Sequence, residues 1–405
     1  MHCTVNTPKD VLELFEEKKL VTVCAPMVRY SKLQFRTLVR EYNCDLCYTP
    51  MIMADSFCQS SKARDNEFTS SLSDSPLIVQ FAANTVHDFV GAAYMVSPYC
   101  SGVDLNCGCP QTWAKQMGIG CSMLNRPELI SDIVKQCRNR INKPFTVSVK
   151  LRILKDLKKT VELCQSLEKA GVSFLGVHAR TPSQHLGSID AEGLKLVVEN
   201  VNCPVIGNGG VKTLKDCLKL QEDTGCKGIM AANGLLTNPT LFTGSDCTPL
   251  QCVQNWLNIC YNSTLPDYDA CETNVTISNR PLNLTFQCFH HHLVFMLEKI
   301  LPRAKRRIFN SLQNFHDVLL FLNEQFGFKP VMFDYETFQR RKPLDLDYIN
   351  RNEVYHTLKL IDNSNKTISS NNVQDYCYND SDGKFFKNKI VEDDSSNLGL
   401  ENMFI

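Results

Sequence analysis

The segment Asn106-Cys107-Gly108-Cys109-Pro110 places two thiols on either side of a glycine, with a proline directly after them. A thiol with an ordinary pKa of about 8.5 is mostly protonated at neutral pH but acidic enough to give up a proton. Residues two apart on an extended segment point the same way, so Cys107 and Cys109 both remain candidates for proton transfer. The glycine and the proline favour a loop that faces a site.

Cations and glycines follow several other short apolar runs. Backbone N–H groups can approach an anion only where side chains do not intrude, so glycines at these points favour a phosphate site. The segments are Lys150-Leu151-Arg152, His178-Ala179-Arg180, Asn208-Gly209-Gly210 and Ala231-Ala232-Asn233-Gly234. They can form one site only if the fold brings the ends of the runs together.

Eight short β-rich apolar runs would position these residues. They cover residues 21–25, 46–49, 77–81, 103–106, 145–150, 174–177, 205–207 and 228–231. Helical patterns lie between them, for example 128–141 after Pro127 and 156–170 before Gly171. Eight strands alternating with helices predict a (β/α)8 TIM barrel, whose active site lies at the carboxyl ends of its strands. A doubly wound open sheet is the alternative architecture.

After the last run the pattern changes to amphipathic helices without intervening strands, expected over 249–261, 282–300 and 305–327. Polar residues 267–280 are expected to form a loop between two of these helices. The polar, acidic composition at the end of the chain predicts a disordered tail. The predicted order is a lead-in at 1–19, the barrel at 20–245, a smaller all-helical domain at 246–328 and the tail at 329–405.

Composition excludes several classes of protein. The 405 residues are 43% hydrophobic, enough for a large core, yet no apolar run is long enough for a membrane span and no export signal is evident. We therefore expect a monomer inside the cell, in the cytoplasm or nucleus, that is not secreted. Its 20 cysteines are expected to be mostly reduced core residues. Acidic residues outnumber basic ones after residue 343, which leaves the remainder mildly basic although the net charge is zero.

Several motifs follow one another in the order seen in tRNA-dihydrouridine synthases, and the chain resembles that family over roughly residues 20–325. The motifs are Ala25-Pro26-Met27, Gln80, Asn106-x-Gly108-Cys109-Pro110, Gly118-x-Gly120, Lys150-x-Arg152, His178 and Asn208-Gly209. Residues 24–32 and 44–51 resemble the eukaryotic subtype that acts at positions 20a and 20b of the tRNA D-loop. Each motif is a weak signal, and their common order is a strong one.

The resemblance implies an FMN-dependent oxidoreductase that uses NADPH or NADH to reduce uridine in tRNA to 5,6-dihydrouridine. In this family a hydride passes from reduced FMN to C6 of uridine, and an acid supplies a proton to C5. Cys109 matches the family's acid. It would work as a neutral thiol, unlike a nucleophilic cysteine, whose pKa is depressed.

The resemblance also implies which residues hold FMN. Gln80 would hydrogen-bond the isoalloxazine edge, and Lys150 would place a cation near the flavin N1–C2=O region, which favours the reduced form. His178 would be a site residue rather than a core histidine. The expected set is Pro26, Met27, Val28, Gln80, Lys150, His178, Asn208, Gly209, Gly210, Ala232 and Asn233.

Three positions depart from the family pattern. Ala179 stands where glycine is usual, Gly210 where aspartate is common, and Asn233 where most members have an arginine beside the phosphate. Loss of that cation would weaken phosphate binding, although backbone amides could still hold the anion. Weaker flavin retention is therefore expected.

The expected contacts with tRNA fall in two groups. Those near the site are Asn106, Arg152 and Arg180, and those in the helical domain are Arg303, Lys305, Arg306 and Arg307. Pro302 is expected to interrupt the helix, so the second group need not continue the face of the preceding residues. Binding through phosphates should weaken steeply with added salt.

Two other functions stay open on the sequence. An FMN barrel that acts on a small pyrimidine or enone, as dihydroorotate dehydrogenases do, fits the barrel, although the helical domain argues against it. A tRNA-binding or folding factor that has lost its flavin fits Ala179 and Asn233.

Two cysteines and three histidines are not predicted to bind a metal. Cys44 and Cys47 are expected on one strand, where residues three apart face opposite sides. His290, His291 and His292 are about 100° apart on a helix, whereas two ligands of one metal normally lie four residues apart. One of the three is expected to be buried and the others interfacial or exposed.

Overall fold

The structure is a computed structural model that describes residues 10–142, 144–184, 187–262, 284–331, 334–344, 346 and 348. Nine strands lie within these residues, and every pairing between them is parallel. They are β1 Val21–Cys24, β2 Leu46–Tyr48, β3 Ile52–Met53, β4 Leu77–Ala82, β5 Gly102–Cys107, β6 Thr146–Arg152, β7 Phe174–His178, β8 Val205–Asn208 and β9 Gly228–Ala231.

The strands close into a barrel of eight staves. β1 pairs with both β2 and β9, and β2 pairs with β4, which completes the ring. β2 and β3 are two parts of one stave, because both pair with β4. Pro50 lies between them, and a proline has no N–H to donate to the ladder. The predicted (β/α)8 barrel is confirmed.

Helices cover the outside of the barrel and its amino-terminal end, where Phe15 of the first helix packs on Phe174 with ring centroids 5.4 Å apart. Pro127 opens one predicted helix and the Asp156 side chain caps another, so both are confirmed. The described helices are α1 Val11–Glu17, α2 Leu33–Arg40, α3 Ala54–Gln59, α4 Ser61–Glu67, α5 Val86–Val96, α6 Thr112–Gln116, α7 Pro127–Arg140, α8 Leu157–Lys169, α9 Ala191–Glu199, α10 Leu214–Thr224, α11 Asn233–Thr237, α12 Leu250–Asn262, α13 Phe286–Leu297, α14 Arg303–Asn310, α15 Phe315–Phe326 and α16 Tyr335–Arg341.

α12 to α15 form the helical region that follows the barrel. The helix expected over 305–327 is instead two helices, α14 and α15. Asn314 is extended, and its side chain accepts from the Asp317 N–H, which starts a new helix there. The polar loop expected at 267–280 lies outside the described residues. In the part of the chain that the structure describes, no helix is long and apolar enough to cross a membrane.

The helical region docks on the barrel through the histidines of α13. His292 is buried, with Nε2 3.1 Å from the Tyr30 carbonyl oxygen and its ring stacked on Phe35 at 4.5 Å between centroids. The Tyr30 hydroxyl lies 2.9 Å from Nδ1 of His291. His290 is buried as well. The prediction of one buried histidine is therefore wrong, because α13 is covered by the barrel on one side and by the helical region on another.

Residues 334–344, 346 and 348, the C-terminal segment, return from the helical region to the barrel. After α16, Pro343 forms an isolated antiparallel bridge with the chain that precedes β4. Tyr348 is buried, with its ring centroid 5.8 Å from that of Phe57 and 5.9 Å from that of Tyr99. The expectation of a disordered tail from residue 329 does not hold for this segment, because apolar contacts fix it. Residues 349–405 lie outside the described residues.

Candidate active site

Polar side chains converge inside the carboxyl end of the barrel. Side chains alternate along a strand, so Asp104 and Asn106 share one face of β5, as Ser148, Lys150 and Arg152 share one face of β6. The register pairs Asp104 with Ser148 and Asn106 with Lys150. Two neighbouring staves therefore carry a ladder of polar groups toward the mouth of the barrel.

A continuous set of hydrogen bonds links this interior to the loop of Cys109. Gln80 Nε2 donates to Asp104 Oδ2 at 2.8 Å, and Asn106 Nδ2 donates to Gln80 Oε1 at 2.9 Å. Asn106 Oδ1 then accepts from the N–H groups of Gly108 and Cys109 at 3.1 and 3.0 Å. Asn106, expected to contact the substrate, thus also holds the backbone of the loop.

The structure separates the two candidate thiols. Cys107 ends β5 inside the main core and is 0% exposed, whereas Cys109 is half-buried on the loop that follows. Burial raises the pKa of the Cys109 thiol, and the nearby charges of Arg152 and Lys150 only partly oppose this. Cys109 is thus the thiol on the open side of the site, and it is protonated at neutral pH.

The chain after the thiol folds back on it closely. Cys121 donates its N–H to the Cys109 carbonyl at 2.9 Å. Gly120 has φ 63°, and a Cβ there would lie 2.5 Å from the same carbonyl oxygen. Only glycine fits such an approach, which explains why the motif Gly118-x-Gly120 follows the cysteine at this distance.

Lys150 reaches from β6 toward the end of β8. Its Nζ donates to Asn208 Oδ1 at 3.1 Å, and Asn208 Nδ2 donates to the Met230 carbonyl at 2.9 Å, which turns the amide oxygen toward the ammonium group. Burial, with the positive charge of Arg152, lowers the pKa of Lys150 to about 8, while Asp104 opposes the shift. The lysine is therefore mostly a cation at neutral pH and titrates just above it.

Arg152 joins two loops at the mouth of the barrel. Its Nε donates to the Gly108 carbonyl at 2.9 Å, and its Nη1 donates to the carbonyls of Thr181 and Gln184, both at 3.1 Å. The guanidinium is buried by these contacts. Arg152, expected at the substrate, therefore holds the thiol loop against the loop after β7.

His178 ends β7 beside Arg180, whose Nη1 lies 3.5 Å from Nε2 of the imidazole. The Arg180 Nη2 also donates to the Gly187 carbonyl at 2.7 Å. Burial, followed by the charges of Lys150, Arg152 and Arg180, lowers the pKa of His178 well below its usual value. The imidazole is therefore neutral and can accept as well as donate a hydrogen bond.

The loop after β8 requires glycine. Gly209 and Gly210 have φ values of 129° and 72°. A Cβ on Gly209 would lie 2.9 Å from Ile189 Cγ2 and 3.2 Å from His178 Cδ2. Gly209 is buried and Gly210 is exposed, and a loop of two residues without side chains suits a phosphate group.

The remaining residues expected at a cofactor lie at the same end of the barrel. Pro26, Met27 and Val28 follow β1, and Ala232 and Asn233 follow β9, its neighbour in the ring. The Met27 N–H donates to Ser31 Oγ at 2.9 Å, which fixes the first of these loops. Val28 is 52% exposed and Asn233 is half-buried.

The basic residues expected to contact tRNA lie on α14, which begins directly after a proline as predicted. Arg303, Lys305 and Arg307 are exposed, and residues 303 and 307 share one face of the helix. Arg306 is half-buried, and its Nη1 donates to the Glu298 carbonyl at 3.0 Å, which ties α14 to the end of α13.

Asp104 and Ser148, which lie at the base of the polar ladder, were not predicted from the sequence. Ser148 Oγ donates to Asp104 Oδ1 at 2.6 Å. Burial raises the pKa of Asp104 to about 6, although the hydrogen bonds from Ser148 and Gln80 and the charge of Lys150 oppose this. Both residues could have been found by counting back two positions from Asn106 and Lys150 along their strands.

The structure corrects the expectation for Cys44 and Cys47. Their Sγ atoms lie 3.8 Å apart rather than on opposite faces. Cys44 precedes β2, after Asn43 with φ 64°, so the alternation of a strand does not apply to it. Within the described ranges, no group of three or more His, Cys, Asp or Glu side chains could hold a metal ion.

The dihydrouridine synthase (Dus) family model matches residues 23–336. The human tRNA-dihydrouridine(20a/20b) synthase (NAD(P)+)-like protein is 46% identical over 320 residues, which cover 79% of this chain and 95% of that protein. The tRNA-dihydrouridine(20a/20b) synthase (NAD(P)+) of Schizosaccharomyces pombe is 37% identical over 327 residues, 80% of this chain and 94% of its own. The tRNA-dihydrouridine(20a/20b) synthase (NAD(P)+) of Saccharomyces cerevisiae is 36% identical over 316 residues, which cover 76% of this chain and 81% of that protein.

Proposed function

Because the chain belongs to the dihydrouridine synthase family, we propose that it reduces uridine in tRNA to 5,6-dihydrouridine, with NADPH or NADH as the reductant. The proposed targets are positions 20a and 20b of the D-loop, since similar relatives carry these positions in their names. The observation that carries the proposal is Cys109, a protonated thiol on a fixed loop at the carboxyl end of the barrel.

FMN is the proposed cofactor, and the residues present fit it. Gly210 presents exposed backbone without a side chain at the end of β8, which suits a phosphate, and Lys150 provides a cation for the flavin ring. When bound, FMN supplies the hydride for C6 of uridine. The residues proposed to hold it are Pro26, Met27, Val28, Gln80, Lys150, His178, Asn208, Gly209, Gly210, Ala232 and Asn233.

Cys109 is the proposed acid that protonates C5 of uridine. Hydride addition at C6 leaves enolate character at C5, and a neutral thiol can quench it. The raised pKa keeps the proton on sulfur until that moment, and the charges of Arg152 and Lys150 stabilise the thiolate that remains. Asn106 and Arg152 keep the loop in place through its backbone.

The tRNA body is proposed to bind the exposed cations of α14, with Asn106, Arg152 and Arg180 nearer the reacting base. The site lies at the carboxyl end of the barrel, and α13 packs against the loop after β1 at that end. Lys305 and Arg306 also contact neighbouring helices, so Arg303 and Arg307 are the better candidates for phosphate contacts. Affinity for tRNA should fall as salt increases, because it depends on neutralising phosphates.

The test is to map dihydrouridine in tRNA from cells that lack this protein. Wild type and Cys107→Ala should restore dihydrouridine at 20a and 20b, and Cys109→Ala should not. Loss of activity in Cys107→Ala with full activity in Cys109→Ala would move the acid to the other thiol.

Purified protein tests the two alternative functions. Turnover of a free pyrimidine with FMN and NADPH, without activity on tRNA, would favour a small-molecule reductase. Protein that lacks flavin absorbance and binds no added FMN would favour a tRNA-binding factor.

A further inference from the structure

We propose that Asp104 is a positioning residue whose carboxylate sets the direction of the hydrogen-bond chain that runs through Gln80 and Asn106 to the backbone of Cys109. Where uridine reduction is concerned, this inference rests on the proposed function. Asp104 lies at the base of the polar ladder and acts through its neighbours.

The direction of the chain follows from the chemistry of its ends. A side-chain amide is nearly symmetrical in shape, so packing alone does not decide which end donates. An ionised carboxylate only accepts, so Gln80 presents Nε2 to Asp104 and its Oε1 accepts from Asn106. Asn106 is then left with Oδ1 for the N–H groups of Gly108 and Cys109. The two backbone N–H groups can only donate, so both ends of the chain require the same direction, and Asp104 supplies the acceptor at its buried end.

The same direction matters at the cofactor. A primary amide has two N–H donors and two oxygen lone pairs, and the chain uses one of each on Gln80. The second donor and acceptor complement the alternating carbonyl and N–H groups on the edge of a flavin. Gln80 is buried in this structure, so a flavin that contacts it would meet an amide whose donor and acceptor ends the chain has already fixed.

The surroundings of Asp104 keep its carboxyl ionised at neutral pH. Ser148 donates to Oδ1 at 2.6 Å, which leaves Oδ2 for Gln80. The other titratable groups that interact with its charge are Lys150 on β6, Tyr48 on β2 and Cys107 on β5. Burial keeps the phenol and the thiol neutral by raising each pKa well above its ordinary value. The pKa of Asp104 is about 6, so mild acid protonates it and the chain loses its fixed direction.

Asp104→Asn tests this directly, because asparagine keeps the shape of aspartate but can offer Gln80 either a donor or an acceptor. Amide hydrogen exchange of the peptide containing Gly108 and Cys109 reports the last bonds of the chain, without cofactor or tRNA. At about pH 8 we expect exchange roughly tenfold faster than in wild type, and FMN affinity roughly tenfold weaker by fluorescence titration, the effect of losing one hydrogen bond.

Acid provides the second readout. In the wild-type protein, Asp104 takes up a proton as pH falls through about 6. The exchange rate of this peptide, after correction for the intrinsic pH dependence of amide exchange, should then rise. In Asp104→Asn no such transition should appear.

Ser148→Ala is the matched control. It removes a hydrogen bond to the same carboxylate without reversing the chain, so exchange and FMN affinity at about pH 8 should stay at wild-type values. Because the Ser148 hydrogen bond lowers the pKa of Asp104, its loss should move the acid transition to higher pH.

The proposal is overturned if Asp104→Asn equals wild type in both exchange and FMN affinity while only its unfolding midpoint falls. If Asp104→Asn does not fold, Ser148→Ala decides, and an unchanged acid transition then overturns the proposal. Failure of the proposed function is distinguishable: wild type would make no dihydrouridine in tRNA, whatever the exchange rates show.

Discussion

Burial is the largest cause of the pKa shifts of Lys150, Cys109 and His178, yet the three side chains end in different charge states at neutral pH. It disfavours each charged form, so it lowers the pKa of the amine and the imidazole and raises that of the thiol. The lysine begins so far above neutrality that a pKa of about 8 still leaves it mostly charged. At neutral pH Lys150 is thus mostly a cation, Cys109 a neutral acid and His178 a neutral ring.

The charge of Lys150 should make FMN affinity depend on pH. A lysine with a pKa of about 8 carries its charge below that pH and loses it above, so affinity should fall as pH rises through about 8. Fluorescence titration with FMN measures this. Lys150→Arg should hold its affinity to higher pH because a guanidinium stays charged, and Lys150→Met should bind weakly at every pH. Flat wild-type affinity across this range would contradict the prediction.

Asn233 lies at the proposed phosphate, where the family resemblance leads us to expect an arginine. Asn233→Arg should tighten FMN binding about tenfold, because a hydrogen bond between a cation and an anion contributes roughly 1.5–3 kcal/mol. Asn233→Gln lengthens the side chain without adding charge and serves as the control. Equal FMN affinity in wild type and Asn233→Arg would show that the backbone alone holds the phosphate.

Among the helices and strands, sequence patterns predicted those features that depend only on residues close together in the chain. Each stave contains a short apolar run, and the helix ends at Pro127 and Asp156 are visible in the residues themselves. The environment of His292 could not be predicted in this way, because its partner Tyr30 lies 262 residues away in the chain. Cys44 was wrongly placed on the strand predicted over 46–49, because it lies two residues before Leu46, where β2 begins.

The docking of α13 on the barrel should weaken in mild acid. Burial lowers the pKa of His291 to about 4 and that of His292 to about 3, against an unfolded value of about 6.5. The unfolded chain therefore takes up protons that the folded chain does not, and this contribution to stability, complete above about pH 6.5, declines as pH falls toward 4.

Denaturant unfolding at several pH values measures this loss. His291→Gln, which keeps a partner for the Tyr30 hydroxyl, should show a smaller decrease than wild type between about pH 7 and 5. An identical decrease in both proteins would assign the acid sensitivity to other groups.

At the scale of the whole molecule, the (β/α)8 architecture and the helical region were predictable, because they follow from the number and spacing of the elements. The polar ladder was predicted only at its outer end, since Asp104 and Ser148 look like ordinary strand residues until the register is known. The return of the C-terminal segment was not predictable, because its composition is polar and its attachments, the Pro343 bridge and the Tyr348 ring, are to distant parts of the chain.

Tyr348→Ala should destabilise the protein by about 3 kcal/mol, the order of magnitude for removing a buried aromatic ring. Its ring packs against Phe57 and Tyr99 and lies 5.5 Å from the Arg64 guanidinium. Tyr348→Phe is the matched control and should be neutral or stabilising, because the buried hydroxyl has no hydrogen-bond partner among the described residues. Unfolding free energies compare the two. A loss in Tyr348→Phe equal to that in Tyr348→Ala would show that the hydroxyl, not the ring, anchors the segment.

Tyr348 also has a consequence for synthesis of the protein. Phe57 and Tyr99 belong to the first part of the chain to leave the ribosome, whereas the ring that covers them is made about 250 residues later. Until then the nascent barrel presents an open aromatic patch to chaperones and to other chains. Premature termination before residue 348 should therefore reduce the amount of protein in cells more than the activity of each molecule that folds.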